Sequence, residues 1–224
     1  SQTAQKLTIT VSLKGTPYTN QWNIWVYPTN PRLVSEKLLV TNSFTEAAAA
    51  LKQGATVLLS PSPKELKGIQ GRFVPVFWSP VHFPNQPATM GLLINKQHEA
   101  LKFFPTDTHT DWQWWDLCLN SKSIITDSLH VSPIVQVIDN FVTNHHLASV
   151  FETKIGAGKL VFSSMDLFTD LENRPVAKQL RHSLIQYMEG NKFNPVSTSS
   201  LNELNSLKIN TNTKGFETKG IYDN

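Results

Sequence analysis

The chain has 224 residues, of which 40% are hydrophobic and 17% are charged. This balance is typical of a globular domain with one sizeable core and excludes a disordered chain. The formal net charge of +3 is too small to predict a nucleic-acid partner. The single cysteine, Cys118, excludes an intrachain disulfide framework. No apolar run is long enough to predict a membrane span. No signal peptide precedes Ser1, and we therefore expect the sequence to be a mature or trimmed fragment.

The first part of the chain, residues 1–32, has the pattern of a β-hairpin. Apolar residues alternate with Thr and Ser from Lys6 to Leu13, which predicts a half-buried strand. A turn at residues 15–17 leads to a second strand, Trp22 to Tyr27. Because an isolated hairpin is marginally stable, we expect this one to lean on another element. Its open edges predict pairing with the tail after Asn205, with another domain, or with a second copy of the chain.

From Leu33 the pattern changes to alternating helices and strands. A helix from Thr45 to Gln53 ends at Gly54, and a continuous apolar run from Ala55 to Ser60 predicts a buried strand. Further predicted strands are Phe73–Trp78, Met90–Ile94, Ile134–Ile138, Ala148–Glu152 and Lys159–Ser163, with a hairpin turn at 154–158 and helices at Lys96–Phe103 and Val176–Met188. This alternation predicts a three-layer α/β domain with a mainly parallel sheet over residues 33–190. The polar composition of residues 191–224 predicts a loosely attached tail, with two short strands about Lys214 as the alternative.

The stretch from Asp107 to Asn120 contains half of the 6 Trp residues and the only cysteine. Polar residues that can cap a helix come first, and an apolar helical segment follows. In a helix, one face would carry Trp112, Trp115 and Leu119, and the other would carry Trp114, Leu117 and Cys118. A short helix that is apolar nearly all round is expected to be covered by a partner.

Two roles compete for this Trp-rich segment. In the first, Trp112, Trp114 and Trp115 form a stacking platform for sugar rings, with Trp112 and Trp115 as the ligand-binding candidates, while Asp107, His109 and Asp111 bond the hydroxyls. In the second, the indoles are buried in the core or against a neighbouring domain and the polar residues act as caps. The second is favoured, because three Trp residues in four positions cannot face one groove. It predicts that Trp115→Ala costs about 3–5 kcal/mol of stability.

The sequence gives little support for metal binding, for a cysteine nucleophile or for phosphate binding. Asp107, His109 and Asp111 would share one side of an extended chain and could hold a divalent ion, although a set of capping residues is the favoured interpretation. Cys118 has no histidine partner placed by a motif, so a buried thiol is favoured over a nucleophile. No phosphate-binding glycine loop is present. We therefore assign no catalytic residue, no metal and no cofactor.

Particular residues carry a resemblance to a known family. The run Phe104-Pro-Thr-Asp-Thr-His-Thr-Asp-Trp-Gln-Trp-Trp-Asp-Leu117 resembles a segment near the C-terminus of large bacterial family 2 glycoside hydrolases of the β-galactosidase-like kind. Residues 134–140, 151–152 with 156–160, and 174–184 look like its continuation. The segment Asn23 to Pro28 looks like the junction from a preceding β-sandwich domain. The resemblance covers roughly residues 7 to 195.

The resemblance implies a flavodoxin-like fold of the class I glutamine-amidotransferase-like kind, with an N-terminal β-hairpin and a polar C-terminal tail. It implies a non-catalytic accessory domain, since the catalytic glutamates of that family lie on a separate barrel that nothing here matches. The implied partners are the other domains of a parent enzyme that degrades carbohydrate, with an oligosaccharide as a further candidate. The implied location is the periplasm or the cell exterior. A stand-alone carbohydrate-binding module and a divergent glycoside hydrolase are the alternatives.

Overall fold

The computed structural model describes residues 2–73 and 89–209. The first unit is the predicted hairpin, which pairs β1 (Gln5–Ser12) with β2 (Thr19–Val26) in antiparallel fashion. Gly15 lies in the connecting turn with a φ of +81°, a conformation that glycine adopts without strain. We call this hairpin the ribbon.

The remaining strands form one large sheet with helices around it. Its strands are β3 (Leu39–Thr41), β4 (Thr56–Leu59), β5 (Ile69–Gln70), β6 (Thr89–Ile94), β7 (Lys122–Ile125), β8 (Ser132–Asp139), β9 (Leu147–Ile155), β10 (Gly158–Ser163) and β11 (Thr198–Ser199). The α-helices are α1 (Phe44–Lys52), α2 (Trp115–Leu119), α3 (Pro175–Glu189) and α4 (Leu201–Ser206). Single 3₁₀ turns occur at Pro63–Glu65, Glu99–Leu101 and Trp112–Trp114. The fold class is therefore mixed α/β, as predicted.

The sheet is mixed, and the prediction of a mainly parallel sheet is wrong. Among the described strands, β3, β4 and β10 lie side by side in parallel, and β11 runs parallel to β9. The other five pairings, β10–β9, β9–β8, β8–β6, β9–β7 and β7–β5, are antiparallel. The reason is connection length, because parallel neighbours require a long crossover. Only two residues separate β9 from β10, and Gly156 turns the chain there with a φ of +59°.

Local signals place α1 and α3 where the sequence predicts them, whereas the helix predicted over Lys96–Phe103 is only a 3₁₀ turn at Glu99–Leu101. The Ser43 hydroxyl accepts from the Glu46 N–H (3.3 Å) at the start of α1, and Gly54 follows its end with a φ of +82°. Pro175 occupies the first turn of α3, where its missing N–H costs no hydrogen bond. The predicted hairpin turn between β9 and β10 is also confirmed.

Helices cover both faces of the sheet. Leu58 and Val161 point to the face on which α2 and α3 pack. Their strand neighbours Val57, Leu59 and Phe162 point to the opposite face, with α1 and α4. Because side chains alternate along a strand, a strand buried on both faces is expected to be mostly apolar. The apolar runs of β4 and β10 have this pattern, and both strands lie inside the core.

The segment after α3 is attached more firmly than expected. Phe193, Leu204 and Leu207 are buried, and β11 extends the sheet beside β9. A capping box at Ser200 and Glu203 starts α4. The expectation of a loose tail is therefore wrong for residues 191–209, because apolar residues spaced through the polar background reach the core. The predicted strands about Lys214, and most of the predicted strand Phe73–Trp78, lie outside the described residues.

Phe162→Ala should lower the free energy of unfolding by about 3–5 kcal/mol. The ring is fully buried, stacks on Phe151 with centroids 4.9 Å apart, and also meets Phe44. Urea denaturation followed by circular dichroism would measure the loss. Val196→Ala, at an exposed position, is the control and should change stability by no more than about 0.5 kcal/mol. Equal effects of the two substitutions would contradict this account of the core.

Candidate functional site

The polar start of the Trp-rich segment runs in extended form beside β6. The Ile94 N–H donates to the Thr108 carbonyl (2.9 Å), and His109 forms an isolated bridge with Leu93. The extended course agrees with the predicted alternation of Asp107, His109 and Asp111. Both Asp107 and His109 act electrostatically on the Asp111 carboxylate. The structure thus places the three predicted polar site residues along one extended stretch beside β6.

The Trp-rich segment has the two faces that its helical spacing predicts. A 3₁₀ turn leads directly into α2, so side chains three or four residues apart share a side. Trp114, Leu117 and Cys118 are buried. Trp112 is 73% exposed, Trp115 is 51% exposed and Leu119 is also exposed. We call the second side the Trp face.

Exposure of the Trp face corrects the favoured structural interpretation. Trp112 and Trp115 are not buried in the core, and only Trp114 of the three indoles is. The expected cost of 3–5 kcal/mol for Trp115→Ala is therefore too high, because that figure applies to a fully buried ring. Trp112 instead lies against Phe73, with ring centroids 5.2 Å apart.

Trp114 anchors the segment in the core. Its indole N–H donates to the Thr106 hydroxyl (2.9 Å), which satisfies the one polar group of the buried ring. Its ring meets Phe104 edge-on at 5.2 Å, and Phe104 stacks in turn with Tyr27. These contacts connect the main domain to the base of the ribbon.

Asp107 is used to hold the ribbon. The Lys6 ammonium group of β1 forms an ion pair with its carboxylate. Hydrogen bonding by Lys6 lowers the pKa of Asp107 more than partial burial raises it. Beside this pair, the Trp25 indole N–H donates to the Pro105 carbonyl (3.1 Å). A carboxylate with an intramolecular cation is less available to bond a sugar hydroxyl.

Asp111 combines a capping role with an unsatisfied atom. One carboxylate oxygen accepts from the Gln113 N–H (3.0 Å), so Asp111 is the N-cap of the 3₁₀ turn. The other oxygen, Oδ2, is buried and has no hydrogen-bond partner among the described residues. Burial raises the pKa of Asp111, and the negative charge of Asp107 raises it further.

Gln113 and Tyr27 belong to this site, although neither was predicted from the sequence. The Gln113 side-chain amide is buried, and its Nε2 donates to the Tyr27 hydroxyl (2.8 Å). Burial raises the pKa of Tyr27, so the phenol stays protonated at neutral pH. The available signal was Gln113 itself, a polar residue between two Trp residues, which needs a partner if it is buried.

Arg174 is a third residue that the prediction missed. Its Nε lies 3.0 and 2.9 Å from the two oxygens of Asp116 on α2, and its Nη1 donates to the Thr169 carbonyl (3.0 Å). This ion pair ties α2 to the start of α3. The sequence did contain a signal for this ion pair, because Asp116 and Arg174 both lie in the segments that carry the family resemblance.

The remaining candidate for nucleophilic chemistry is inert in this setting. Cys118 is buried, and burial raises the pKa of its thiol to about 12. The nucleophilic thiolate is therefore scarce at neutral pH. Within residues 2–73 and 89–209, no cluster of three or more His, Cys, Asp or Glu side chains could hold a metal ion.

The carboxyl edge of the parallel strands is filled by the protein itself. Ligands of open α/β sheets usually bind at this edge. Here Ser60 follows β4 and Ser163 ends β10, and the hydroxyls of both donate to the Met165 carbonyl (2.8 and 3.0 Å). The Leu167 N–H donates back to the Ser60 hydroxyl (3.1 Å). All four residues are fully or almost fully buried, so no cleft opens between these two strands.

Fold and site together define a mixed α/β domain with an attached ribbon and an aromatic, partly exposed junction. None of the helices in the described parts is both long and apolar enough to cross a membrane. The chain belongs to the family described as domain of unknown function (DUF8487), whose model matches residues 39–208. Residues 1–28 match a second model, also described as a domain of unknown function (DUF8488). A search of curated proteins gave no match.

Trp114→Ala should lower the free energy of unfolding by about 3–5 kcal/mol, because it removes a fully buried indole and leaves Thr106 without its donor. Trp112→Ala, at the most exposed of the three positions, should cost about 1 kcal/mol or less. Urea denaturation of both variants gives the comparison. A larger loss for Trp112→Ala would mean that the Trp face is covered.

Asp111→Asn should leave stability at pH 7 unchanged or increased. Because the folded-state pKa of Asp111 is raised, wild-type stability decreases as pH rises from about 3.9 through that folded pKa. Asn cannot ionise but still caps the turn, so the variant should lose less stability over this range. Asp111→Ala removes the cap and should cost about 1 kcal/mol. The check is urea denaturation at several pH values, and equal losses for Asn and Ala at pH 7 would refute the argument.

Proposed function

We propose that this chain is a non-catalytic accessory domain of a family 2 glycoside hydrolase of the β-galactosidase-like kind. In this proposal the hydrolytic barrel and its two carboxylates lie outside residues 1–224. The observation that carries the proposal is the closed carboxyl edge, where the Ser60 and Ser163 hydroxyls both donate to the Met165 carbonyl in place of a ligand. A sheet edge filled in this way supports a scaffolding role.

The residues that resemble the glycoside hydrolase segment mostly serve packing in this chain. Gln113 bonds Tyr27, Trp114 bonds Thr106, and Asp116 pairs with Arg174. A motif retained for catalysis would instead present unoccupied acid and base groups in a cleft. This use of the motif supports an accessory domain whose distinctive residues hold its parts together.

The finer assignment of the fold is part of the same proposal. We assign the parallel core β3–β4–β10 to a flavodoxin-like, class I glutamine-amidotransferase-like arrangement. The crossover through α1 between β3 and β4, and the packing of α1 and α3 on opposite faces, support this assignment. The antiparallel strands β6 to β9 would be additions to that core.

The proposed parent protein is bacterial, takes part in carbohydrate metabolism and works in the periplasm or outside the cell. These statements rest on the sequence resemblance. The two separate family matches, at residues 1–28 and 39–208, support a modular protein in which the ribbon and the α/β domain are distinct units. The partners of the chain are then the other domains of that protein.

The purified chain should not hydrolyse aryl β-galactosides or related aryl glycosides. The assay is release of the aryl group, with a β-galactosidase as the positive control. Turnover that a single Asp or Glu substitution abolishes would contradict the proposal and favour a divergent hydrolase. The sequence of the intact gene gives a direct check, because the proposal requires a catalytic barrel encoded upstream.

One observation favours a second candidate function, a carbohydrate-binding module. Trp112 and Trp115 are exposed on one side of the segment, as stacking residues for a sugar ring must be. The neighbouring polar groups oppose it, because Asp107 is paired with Lys6 and Asp111 caps the turn. His109 is the polar candidate that remains exposed.

Native gel electrophoresis in the presence of soluble galactan or xylan separates the two functions. The accessory-domain proposal predicts no retardation of the wild-type chain. The binding-module candidate predicts retardation that is lost in Trp112→Ala and Trp115→Ala. Phe141→Ala removes an exposed ring elsewhere and is the matched control, since it should leave any specific retardation unchanged.

A further inference from the structure

A groove lies between α1 and α4 on the outer surface of their layer. Its volume is about 470 Å³, within the range of roughly 300–1,000 Å³ that is usual for ligand clefts. It is lined on one side by Thr45, Ala48, Ala49 and Lys52 of α1, and on the other by Asn205 and Lys208. The layer of α1 and α4 is the one opposite to α2 and α3. We call this feature the α1–α4 groove.

The floor of the α1–α4 groove is apolar because α1 is apolar on two sides. Phe44, Ala47 and Leu51 are buried and face the core, as expected of a helix that packs on a sheet. Ala48 and Ala49 lie on the next side of the helix and line the groove, and Phe44 reaches it from below. The outer side of a surface helix usually carries long polar side chains. The two alanines instead leave room for side chains of a partner.

Two ammonium groups flank this floor. Lys52 is exposed in the last turn of α1, and the Lys208 Nζ lies 5.3 Å from the centre of the Phe44 ring. Within residues 2–73 and 89–209, no carboxylate forms an ion pair with either lysine. The acidic residue of α1, Glu46, instead accepts from the Thr41 hydroxyl (2.6 Å). The groove is therefore apolar at its floor and positively charged at its rim.

We propose that the α1–α4 groove binds an acidic, amphipathic peptide segment of a separate protein. Apolar side chains of that segment contact Ala48 and Ala49, and Asp or Glu side chains beside them pair with Lys52 and Lys208. An amphipathic helix that lies in a groove is a recurrent mode of peptide recognition. The inference goes beyond the proposed function and does not depend on it.

Charge decides between the possible occupants of the groove. A second copy of the chain that met the same surface about a two-fold axis would place lysines against lysines. Residues 210–224 contain two lysines and two acidic residues, so this segment supplies no excess of negative charge. The ribbon is attached on the side of α2, so a domain joined through it adjoins the opposite layer. An acidic segment of another protein has the charge that the rim lacks.

The test selects a phage library of short random peptides on the complete 224-residue chain. Enriched peptides are synthesised with a fluorescent label, and their affinity is measured by fluorescence anisotropy. We expect them to combine net negative charge with apolar residues. Lys52→Glu and Lys208→Glu should each weaken binding about tenfold or more, because each reverses a charge at the rim.

Lys102→Glu is the matched control for these substitutions. Like Lys208, Lys102 lies over an aromatic ring, with its Nζ 5.9 Å from the centre of Phe103, but Phe103 meets His182 of α3 in the opposite layer. Its affinity for the peptides should equal that of the wild-type chain. Circular dichroism checks that each variant is folded. Lys52→Ala, which removes the charge without reversing it, is the second variant at that position and should also weaken binding.

Several results would overturn the inference. One is a selection that enriches no peptide, or only peptides without net negative charge. Another is equal affinity of the wild-type chain, Lys52→Glu and Lys208→Glu. Binding of a synthetic peptide of residues 210–224 that both substitutions weaken would assign the groove to the tail of the chain itself. Binding to phosphatidylserine vesicles that both substitutions abolish, without peptide binding, would assign the lysines to a membrane surface.

Discussion

The structure depends on the burial of β9 and β10 on both faces. The two strands are joined by a two-residue turn, and Phe151 and Phe162 stack across them at 4.9 Å. Each strand directs alternate side chains into two separate clusters, so α1 and α4 on one side and α2 and α3 on the other all pack against the same pair. Among the described strands, β4, β7, β8 and β11 pair with β9 or β10 directly, and β3, β5 and β6 attach through one intermediate strand.

The Trp-rich segment joins the core to the ribbon. Its buried side holds Trp114 against Phe104, and Phe104 stacks with Tyr27 at the base of the ribbon. Its polar residues are largely used within the molecule, by Lys6 and by the N-cap of the turn. The Trp face remains exposed. Exposed indoles beside occupied polar groups are more typical of a surface between domains than of a sugar site, where hydroxyls need free donors and acceptors.

The loop that follows β10 closes the carboxyl ends of the parallel strands. At the carboxyl ends of parallel strands, hydroxyl and backbone groups usually point into an open crevice. Here the serine hydroxyls at the ends of β4 and β10 are satisfied by the following loop, which also covers them. Opening the edge would exchange these three hydrogen bonds for bonds to water, at a net cost of about 0.5–1.5 kcal/mol for each. The closed edge is thus stabilised by the hydrogen bonds that close it.

The sequence by itself determined the features that depend on near neighbours. Periodicity located most of the strands and helices, the cap and glycine at the ends of α1, and the two faces of the Trp-rich segment. Tertiary structure decided the features that depend on distant partners. Which face of the Trp-rich segment is buried, whether strands pair in parallel, and how residues 191–209 attach all depend on contacts far apart in the chain, such as Lys6 with Asp107 or Lys67 with Leu207. Spacing within a segment reports which residues share a side, but it carries no information about which surface meets that side. The packing of the whole core decides which side of a segment is buried.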